Sequence, residues 1–228
     1  MMENRKHVAY LLPHTDVTSE MDCQRLLPSH VIHVQRMWLD DVGQEAERTM
    51  VERELPAALR YLKGVAPYQC AVFGCTSASA VNGREGMLAI QRQMEQELGC
   101  PAITALGAVL WEIERRQARS VAVLTPYTRE VNCFLRETLE TFGVSVCHIA
   151  GMGLSGDGDI AALEPQAILD YTRSQRESIP ARTELCFFSC TNARSAEIRD
   201  QLEACAGRPF ITSNQCVIDY IKALDRTP

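Results

Sequence analysis

The chain has 228 residues, a formal net charge of −6 and hydrophobic residues at 46% of its positions. This length can bury the core of one large or two small domains, and the acidic balance excludes the basic surface that a nucleic-acid partner needs. No apolar run is long enough to cross a bilayer and no apolar signal segment opens the sequence, so we expect no membrane partner and a cytoplasmic location.

Short apolar runs that predict buried strands alternate along the chain with longer segments that predict helices. The predicted strands cover residues 7–12, 31–38, 71–74, 102–104, 120–124, 145–149, 184–189 and 210–212. The predicted helices cover residues 20–27, 43–63, 84–98, 106–116, 129–142, 165–176, 193–204 and 215–224. This alternation is typical of parallel sheets with helices on both faces, and four strands per half predict an α/β fold of two flavodoxin-like lobes.

Three segments of the first half recur in the same order in the second half. The segment CAVFGCTSAS at 70–79 is similar to LCFFSCTNAR at 185–194; VAYLLPHT at 8–15 matches VAVLTPYT at 121–128; and PAIT at 101–104 matches PFIT at 209–212. Three matches in register indicate an internal duplication. The period is domain-sized, so the sequence predicts two similar domains rather than a solenoid.

Each half places one cysteine, Cys75 or Cys190, at the carboxyl end of a predicted strand. Open α/β sheets bind ligands at these ends, so the pattern predicts a thiol on each side of a substrate. One thiolate could remove a proton from a carbon acid while the other thiol returns one, or a thiolate could add to a double bond and allow cis–trans isomerisation. Each cysteine precedes a predicted helix start, which we expect to lower its pKa.

Short polar residues follow both cysteines, namely Thr76, Ser77, Thr191 and Asn192. Their hydroxyl groups and the backbone N–H groups of the turns could hold a substrate carboxylate and stabilise an enediolate.

The sequence gives no sign of a metal or an organic cofactor. Its ten cysteines form no Cys-x-x-Cys pair, and it has neither a Gly-x-Gly-x-x-Gly motif nor a P-loop. The three lysines lie in no setting that suggests a Schiff base.

The cysteine motifs and several weaker ones resemble the Asp/Glu racemase superfamily, within it the branch of maleate cis–trans isomerases, arylmalonate decarboxylases and ectoine-utilisation proteins. The similar pieces are Leu12-Pro13 with Thr15 and Glu20, Arg36, Gly74-Cys75-Thr76-Ser77 with Ser79, Leu124-Thr-Pro-Tyr127 with Val131-Asn132, Ser189-Cys190-Thr191-Asn192, and Thr212-Ser-Asn-Gln215.

This resemblance implies two pseudo-symmetric lobes with the active site between them, no cofactor, and a homo-oligomer, either a dimer or a tetramer. The first lobe would comprise residues 1–110 together with a returning C-terminal helix at 213–228, and the second lobe residues 111–212. Cys75 and Cys190 would be the catalytic pair. Tyr127, Asn132 and the two Cys-Thr turns would bind a small carboxylate substrate.

Two acidic positions depart from the maleate isomerases, which usually carry asparagine at the place of Asp16 and in the loop that contains Asp157 and Asp159. A carboxylate cannot donate a hydrogen bond to a dicarboxylate and would repel it. Glutamate racemases are more similar here, because they have an acid beside each cysteine that assists proton transfer and pairs with an ammonium group. We therefore expect Asp16 beside Cys75 and Asp157, with Asp159 as the alternative, beside Cys190.

These observations favour a cofactor-independent racemase or epimerase of a small amino acid or related carboxylic acid. One alternative is a maleate-type cis–trans isomerase in which Cys75 adds to the double bond. A second is an arylmalonate-type decarboxylase, which the presence of both cysteines disfavours. Non-catalytic alternatives are a sensor that binds a small acid and a thiol redox protein.

Overall fold

The computed structural model describes residues 5–226, which form two four-stranded parallel sheets. The strands are β1 (Lys6–Pro13), β2 (His30–Met37), β3 (Tyr68–Phe73), β4 (Ala102–Thr104), β5 (Ser120–Tyr127), β6 (Ser145–Leu154), β7 (Leu185–Phe188) and β8 (Phe210–Thr212). Their order is β2-β1-β3-β4 in one sheet and β6-β5-β7-β8 in the other, so both sheets have the same topology. The predicted α/β fold of two similar sheets is confirmed.

Helices cross over between successive parallel strands, as a parallel sheet requires. They are α1 (Thr18–Leu26), α2 (Gln44–Thr49), α3 (Leu55–Leu62), α4 (Thr76–Ala80), α5 (Gly83–Leu98), α6 (Ala105–Arg115), α7 (Arg129–Thr141), α8 (Asp157–Ala161), α9 (Pro165–Gln175), α10 (Arg199–Ala206) and α11 (Ser213–Leu224). No helix within residues 5–226 is long and apolar enough to cross a membrane.

The predicted helix 43–63 is divided in the structure into α2, a π-helical segment Met50–Glu54, and α3. Pro56 lies in the first turn of α3 and has no N–H group to donate to the preceding turn. The α-helical hydrogen-bond pattern therefore cannot continue through this point, and a π segment fills the junction.

The predicted helix 193–204 begins later than expected. Residues 191–195 form turns, followed by a 3₁₀ segment Ala196–Ile198 and then α10. Cys75 does lie directly before a helix, the short α4, but the prediction that Cys190 also precedes a helix start is wrong. The short helices α4 and α8 were not predicted.

The C-terminal helix α11 packs against α6 and also contacts α1 and β3. The junctions that lead into α6 and α11 are alike, because the Thr104 hydroxyl accepts from Gly107 N at 3.0 Å and the Thr212 hydroxyl accepts from Gln215 N at 3.4 Å. The two helices thus begin in the same way after equivalent strands. The lobe boundaries at 1–110 and 111–212 stay a prediction, since α6 runs across this junction.

Gly151 in β6 allows the end of β5 to approach closely. A Cβ atom at this position would lie 2.2 Å from the Tyr127 carbonyl oxygen and 2.5 Å from Asn132 Nδ2. The first of these atoms belongs to the backbone and cannot rotate away, so only glycine fits here.

We predict that Gly151→Ala lowers the free energy of unfolding by about 1–3 kcal/mol, because the added methyl group forces the strand ends apart. Gly158→Ala is the control, since a Cβ atom there would meet nothing within 4 Å. Urea unfolding of the two variants measures the difference. Equal stability of both variants would contradict the close approach.

Candidate active site

Cys75 and Cys190 follow β3 and β7 at the carboxyl ends of the two sheets, and their side chains are only 5% and 4% exposed. Tyr127 at the end of β5 is buried beside both sulfur atoms. Burial raises the pKa of its hydroxyl, and the neighbouring thiols Cys190 and Cys75 raise it further. The structure therefore brings both predicted cysteines and Tyr127 into one site.

The hydroxyl group of Ser213 joins the two cysteine turns. It accepts a hydrogen bond from Thr76 Oγ1 at 2.9 Å and another from the Cys190 backbone N–H at 3.1 Å. The Thr191 hydroxyl donates to the Gly74 carbonyl oxygen at 3.2 Å, which adds a direct link between the turns. Ser213 was not predicted as a site residue, although it lies in the Thr-Ser-Asn motif of the sequence.

Asp16 is fully buried next to the Cys190 turn. Its carboxylate accepts from the Ser19 backbone N–H at 2.8 Å and from the Ser19 hydroxyl at 2.7 Å. The same hydroxyl lies 3.3 Å from the Thr191 carbonyl oxygen, and the charge of Asp16 raises the pKa of Cys190. Asp16 therefore lies with the Cys190 turn, whereas the sequence led us to expect it beside Cys75.

Burial raises the pKa of Asp16 to about 6, although hydrogen bonds from Ser19 oppose the rise. The nearby negative charge of Asp157 adds to it. The carboxyl group thus titrates closer to neutrality than an exposed aspartate does.

Asp157 begins α8 and connects to both halves of the site. The Thr15 hydroxyl donates to its carboxylate, and the Asn192 side-chain amide lies 3.4 Å from its carbonyl oxygen and 3.2 Å from that of Thr15. Its negative charge raises the pKa of Cys190 and, more weakly, that of Cys75. Asp159 is exposed, so Asp157 is the acid of this loop that faces the thiols.

Burial is the largest influence on both thiols and raises the pKa of each well above its ordinary value. Two donors oppose this rise in the pKa of Cys75. One is the Ala78 backbone N–H, and the other is the Ser77 hydroxyl, which lies 3.6 Å from Cys75 Sγ. The Tyr127 hydroxyl has the same effect at Cys190. N–H groups that follow each cysteine do lower its pKa, from Ala78 in α4 and from Asn192, but loss of water outweighs these donors and the net shift is upward.

Asn132 is linked to Tyr127 through the hydroxyl group of Thr125. The Thr125 hydroxyl donates to Asn132 Oδ1 at 2.7 Å and accepts from the Tyr127 backbone N–H at 3.1 Å. These contacts fix the strand end that carries Tyr127. Among residues 5–226, no group of three or more His, Cys, Asp or Glu side chains could hold a metal ion.

Glu47 is an acid of the site that sequence reasoning missed. Its side chain on α2 is 0% exposed, and neither carboxylate oxygen has a hydrogen-bond partner of normal geometry within residues 5–226. The helix packs against α4, and the negative charge of Glu47 raises the pKa of Cys75 more than any influence except burial. Burial in turn raises the pKa of Glu47 to about 8.

A signal for Glu47 was available in the sequence. It lies three residues before Met50 and eight before Leu55, so it occupies the apolar face of the predicted helix 43–63. A carboxyl group on such a face is seldom buried without a function or a partner. Both apolar neighbours are fully buried in the structure.

We predict that Glu47 makes stability depend on pH. The native state keeps the Glu47 proton up to about pH 8, whereas the unfolded chain loses it near 4.5. The free energy of unfolding of the wild type, relative to Glu47→Gln, should therefore fall as pH rises through this window, by roughly 1.4 kcal/mol per pH unit at most. Urea titrations at several pH values measure it, with the exposed Glu45→Gln as control. A constant difference would contradict the raised pKa.

The comparisons with known proteins agree with this geometry. A model of the arylmalonate decarboxylase family matches residues 10–224. No curated protein matches the chain by sequence. A liganded mutant of arylmalonate decarboxylase, in which a glycine is replaced by cysteine and a cysteine by serine, is similar in structure with a TM-score of 0.87 and 20% identity, over 97% of this chain and 93% of that one.

Two maleate isomerases also have this fold. A cysteine-to-alanine mutant of maleate isomerase from Pseudomonas putida S16, with maleate, has a TM-score of 0.84 and 18% identity over 97% of this chain and 93% of that one. A cysteine-to-serine mutant of the Nocardia farcinica maleate cis–trans isomerase, with a covalently bound succinylcysteine intermediate, has a TM-score of 0.85 and 16% identity over 99% of this chain and 94% of that one.

The family model covers nearly the whole chain, and these structures have the same two-sheet architecture. The predicted branch of the Asp/Glu racemase superfamily is confirmed, and the chain belongs to the arylmalonate decarboxylase family.

Proposed function

We propose that the protein is a cofactor-independent racemase or epimerase of a small amino acid or related carboxylic acid. The observation that carries this proposal is the pair of buried thiols, Cys75 and Cys190, at equivalent strand ends with Tyr127 beside both. Family and fold support the broader class, which includes a decarboxylase and isomerases.

The proposed reaction moves one proton off the α-carbon and another onto its opposite face. One cysteine, as the thiolate, takes the α-proton and becomes a thiol, and the electron pair moves into an enediolate. The thiol of the other cysteine then protonates the opposite face and becomes a thiolate. The Ser77 hydroxyl group and free backbone N–H groups of the Cys-Thr turns would supply donors to the enediolate oxygens.

The acids support this reaction by balancing a substrate ammonium group. Asp157 raises the pKa of both thiols, and no Lys or Arg side chain pairs with its carboxylate among residues 5–226. A bound ammonium would cancel this negative charge and so favour the thiolate that the reaction needs. Asp16, with a pKa of about 6, is ionised at neutral pH beside the Cys190 turn and adds to the negative charge that a substrate ammonium would balance.

Cis–trans isomerisation is the second candidate, because a cysteine of the Nocardia farcinica relative carries a covalent succinyl adduct. Cys75 could add in the same way to the double bond of a substrate. Asp16 and Asp157 argue against a dicarboxylate substrate, since each would repel its second carboxylate. A decarboxylase needs only one proton-returning thiol, and a small-acid sensor needs none, so neither accounts for two buried thiols.

We predict that Cys75→Ser and Cys190→Ser each nearly abolish net inversion, because a hydroxyl group is a far weaker acid than a thiol. Each variant should still exchange the α-proton of one enantiomer, since the remaining thiol can take and return it on its own face. NMR in D₂O, run separately on each enantiomer, measures the exchange. If both variants exchanged the same enantiomer, or either kept full inversion, the two-base scheme would fail.

We predict that Asp157→Asn raises the KM for an amino acid by roughly 10–100-fold, because a charge-assisted hydrogen bond to the ammonium is lost. The inhibition constant of the corresponding acid without the amino group should not rise. Asp159→Asn is the matched control, since that carboxylate is exposed in the same helix. A similar effect on both ligands would show that Asp157 only shapes the loop.

A further inference from the structure

Glu47 is a buried carboxyl group with no charged partner of opposite sign among residues 5–226. Its side chain is 0% exposed and neither oxygen has a hydrogen bond of normal geometry within these residues, although the Ser77 hydroxyl lies near enough to lower the Glu47 pKa. Leaving a buried polar group unsatisfied is costly, on the order of 1–3 kcal/mol. In native proteins such groups are few, and a role in catalysis or in holding a bound molecule or ion is among their recurring explanations. The burial of Glu47 therefore points to a ligand that donates hydrogen bonds to its carboxylate oxygens.

Glu47 lies on the Cys75 side of the site. The Ser77 hydroxyl lies near enough to Glu47 to lower its pKa, and that hydroxyl also lies 3.6 Å from Cys75 Sγ. The loop before α2 is joined to the loop before α8 by a hydrogen bond from Val42 N to Ser155 O of 3.0 Å. Glu47 and Asp157 are therefore carried by adjacent segments on one side of the site.

The charges around Glu47 select the kind of ligand group. Asp157 and Glu130 are the charged groups that act on it, and both are acidic. Within residues 5–226 no Lys or Arg side chain forms an ion pair or hydrogen bond with Glu47, Asp157 or the Asp16 carboxylate. These acidic side chains would repel an anionic substituent of a ligand and would attract a cationic one.

Asp157 and Glu47 lie at different places in the site and suit different parts of a substrate. Asp157 raises the pKa of both thiols, so it suits the α-ammonium of a substrate that lies between them. Glu47 is carried by α2, which packs against α4 directly after Cys75, so it lies on the Cys75 side of the site. That is where a substituent of the substrate would extend.

We infer that Glu47 is a specificity-determining residue and that the substrate's side chain ends in a cationic nitrogen, as in a basic amino acid. This inference rests on the proposed function. The ligand cation would supply the hydrogen-bond donors that both carboxylate oxygens lack, and it would hold Glu47 in its ionised form. Neutral substrates would leave the buried carboxyl group unpaired and would bind more weakly.

The test compares α-proton exchange in D₂O for lysine, arginine, norleucine, alanine and glutamate, each as both enantiomers. For the wild type we expect kcat/KM for lysine or arginine to exceed that for norleucine by roughly tenfold or more, which corresponds to one charge-assisted contact. Glu47→Gln should remove this preference mainly through KM. Glu45→Gln, an exposed acid on the same helix, should keep it.

The outcomes separate the inference from the proposed function. If the wild type exchanges none of the five amino acids, the proposed function fails in its amino-acid form. If it exchanges alanine or norleucine as well as lysine, or if Glu47→Gln keeps the cationic preference, only the inference on Glu47 fails. A preference for glutamate would also overturn the inference, because Glu47 would then bind as a protonated donor. Glu47→Asp, which keeps the charge but shortens its reach, replaces Glu47→Gln if that variant does not fold.

Discussion

The site depends on the carboxyl ends of β3 and β7 being held against each other. The Ser213 hydroxyl accepts from Thr76 and from the Cys190 backbone, and the Thr191 hydroxyl reaches the Gly74 carbonyl oxygen. These bonds are buried, where a satisfied polar network fixes one geometry and a broken one is costly. Without this junction the two thiols would belong to separate sheets and could not act on one carbon.

The same junction excludes water, and the exclusion sets the electrostatics of the site. Burial raises the pKa of Cys75, Cys190, Asp16 and Glu47 together. In a low dielectric each group disfavours the charge of its neighbours, so the buried site favours protonated thiols. Under the proposed function, a cationic ligand group would reverse this balance and couple thiolate formation to substrate binding.

The sequence was sufficient for the parts of the structure that repeat. All eight strands were predicted because each is a short apolar run, and the cysteine motifs marked the site because they recur in equivalent places. Glu47 and Ser213 were missed because burial and partners depend on packing between segments distant in the chain. The turns after Cys190 were not predicted, because residues 193–204 have the composition of a helix. In the structure, Asn192 forms hydrogen bonds with residues at the start of α1 and with the loop of Asp157, and these contacts hold the chain in a turn.

The duplicated frame carries an asymmetric site. Cys75 lies directly before a helix, with Glu47 and Ser77 as neighbours, whereas Cys190 lies directly before a turn, with Tyr127 and Asp157 as neighbours. Two enantiomers have equal free energies in water, so a racemase must have the same kcat/KM in both directions, whatever its site looks like. For a racemase, these different surroundings can change kcat and KM for one enantiomer relative to the other only by the same factor. For an epimerase the two substrates differ in free energy, and the ratio of the two kcat/KM values equals their equilibrium constant instead of one. The asymmetry between the two thiols is therefore compatible with either reaction, and its kinetic signature is unequal KM values matched by unequal kcat values.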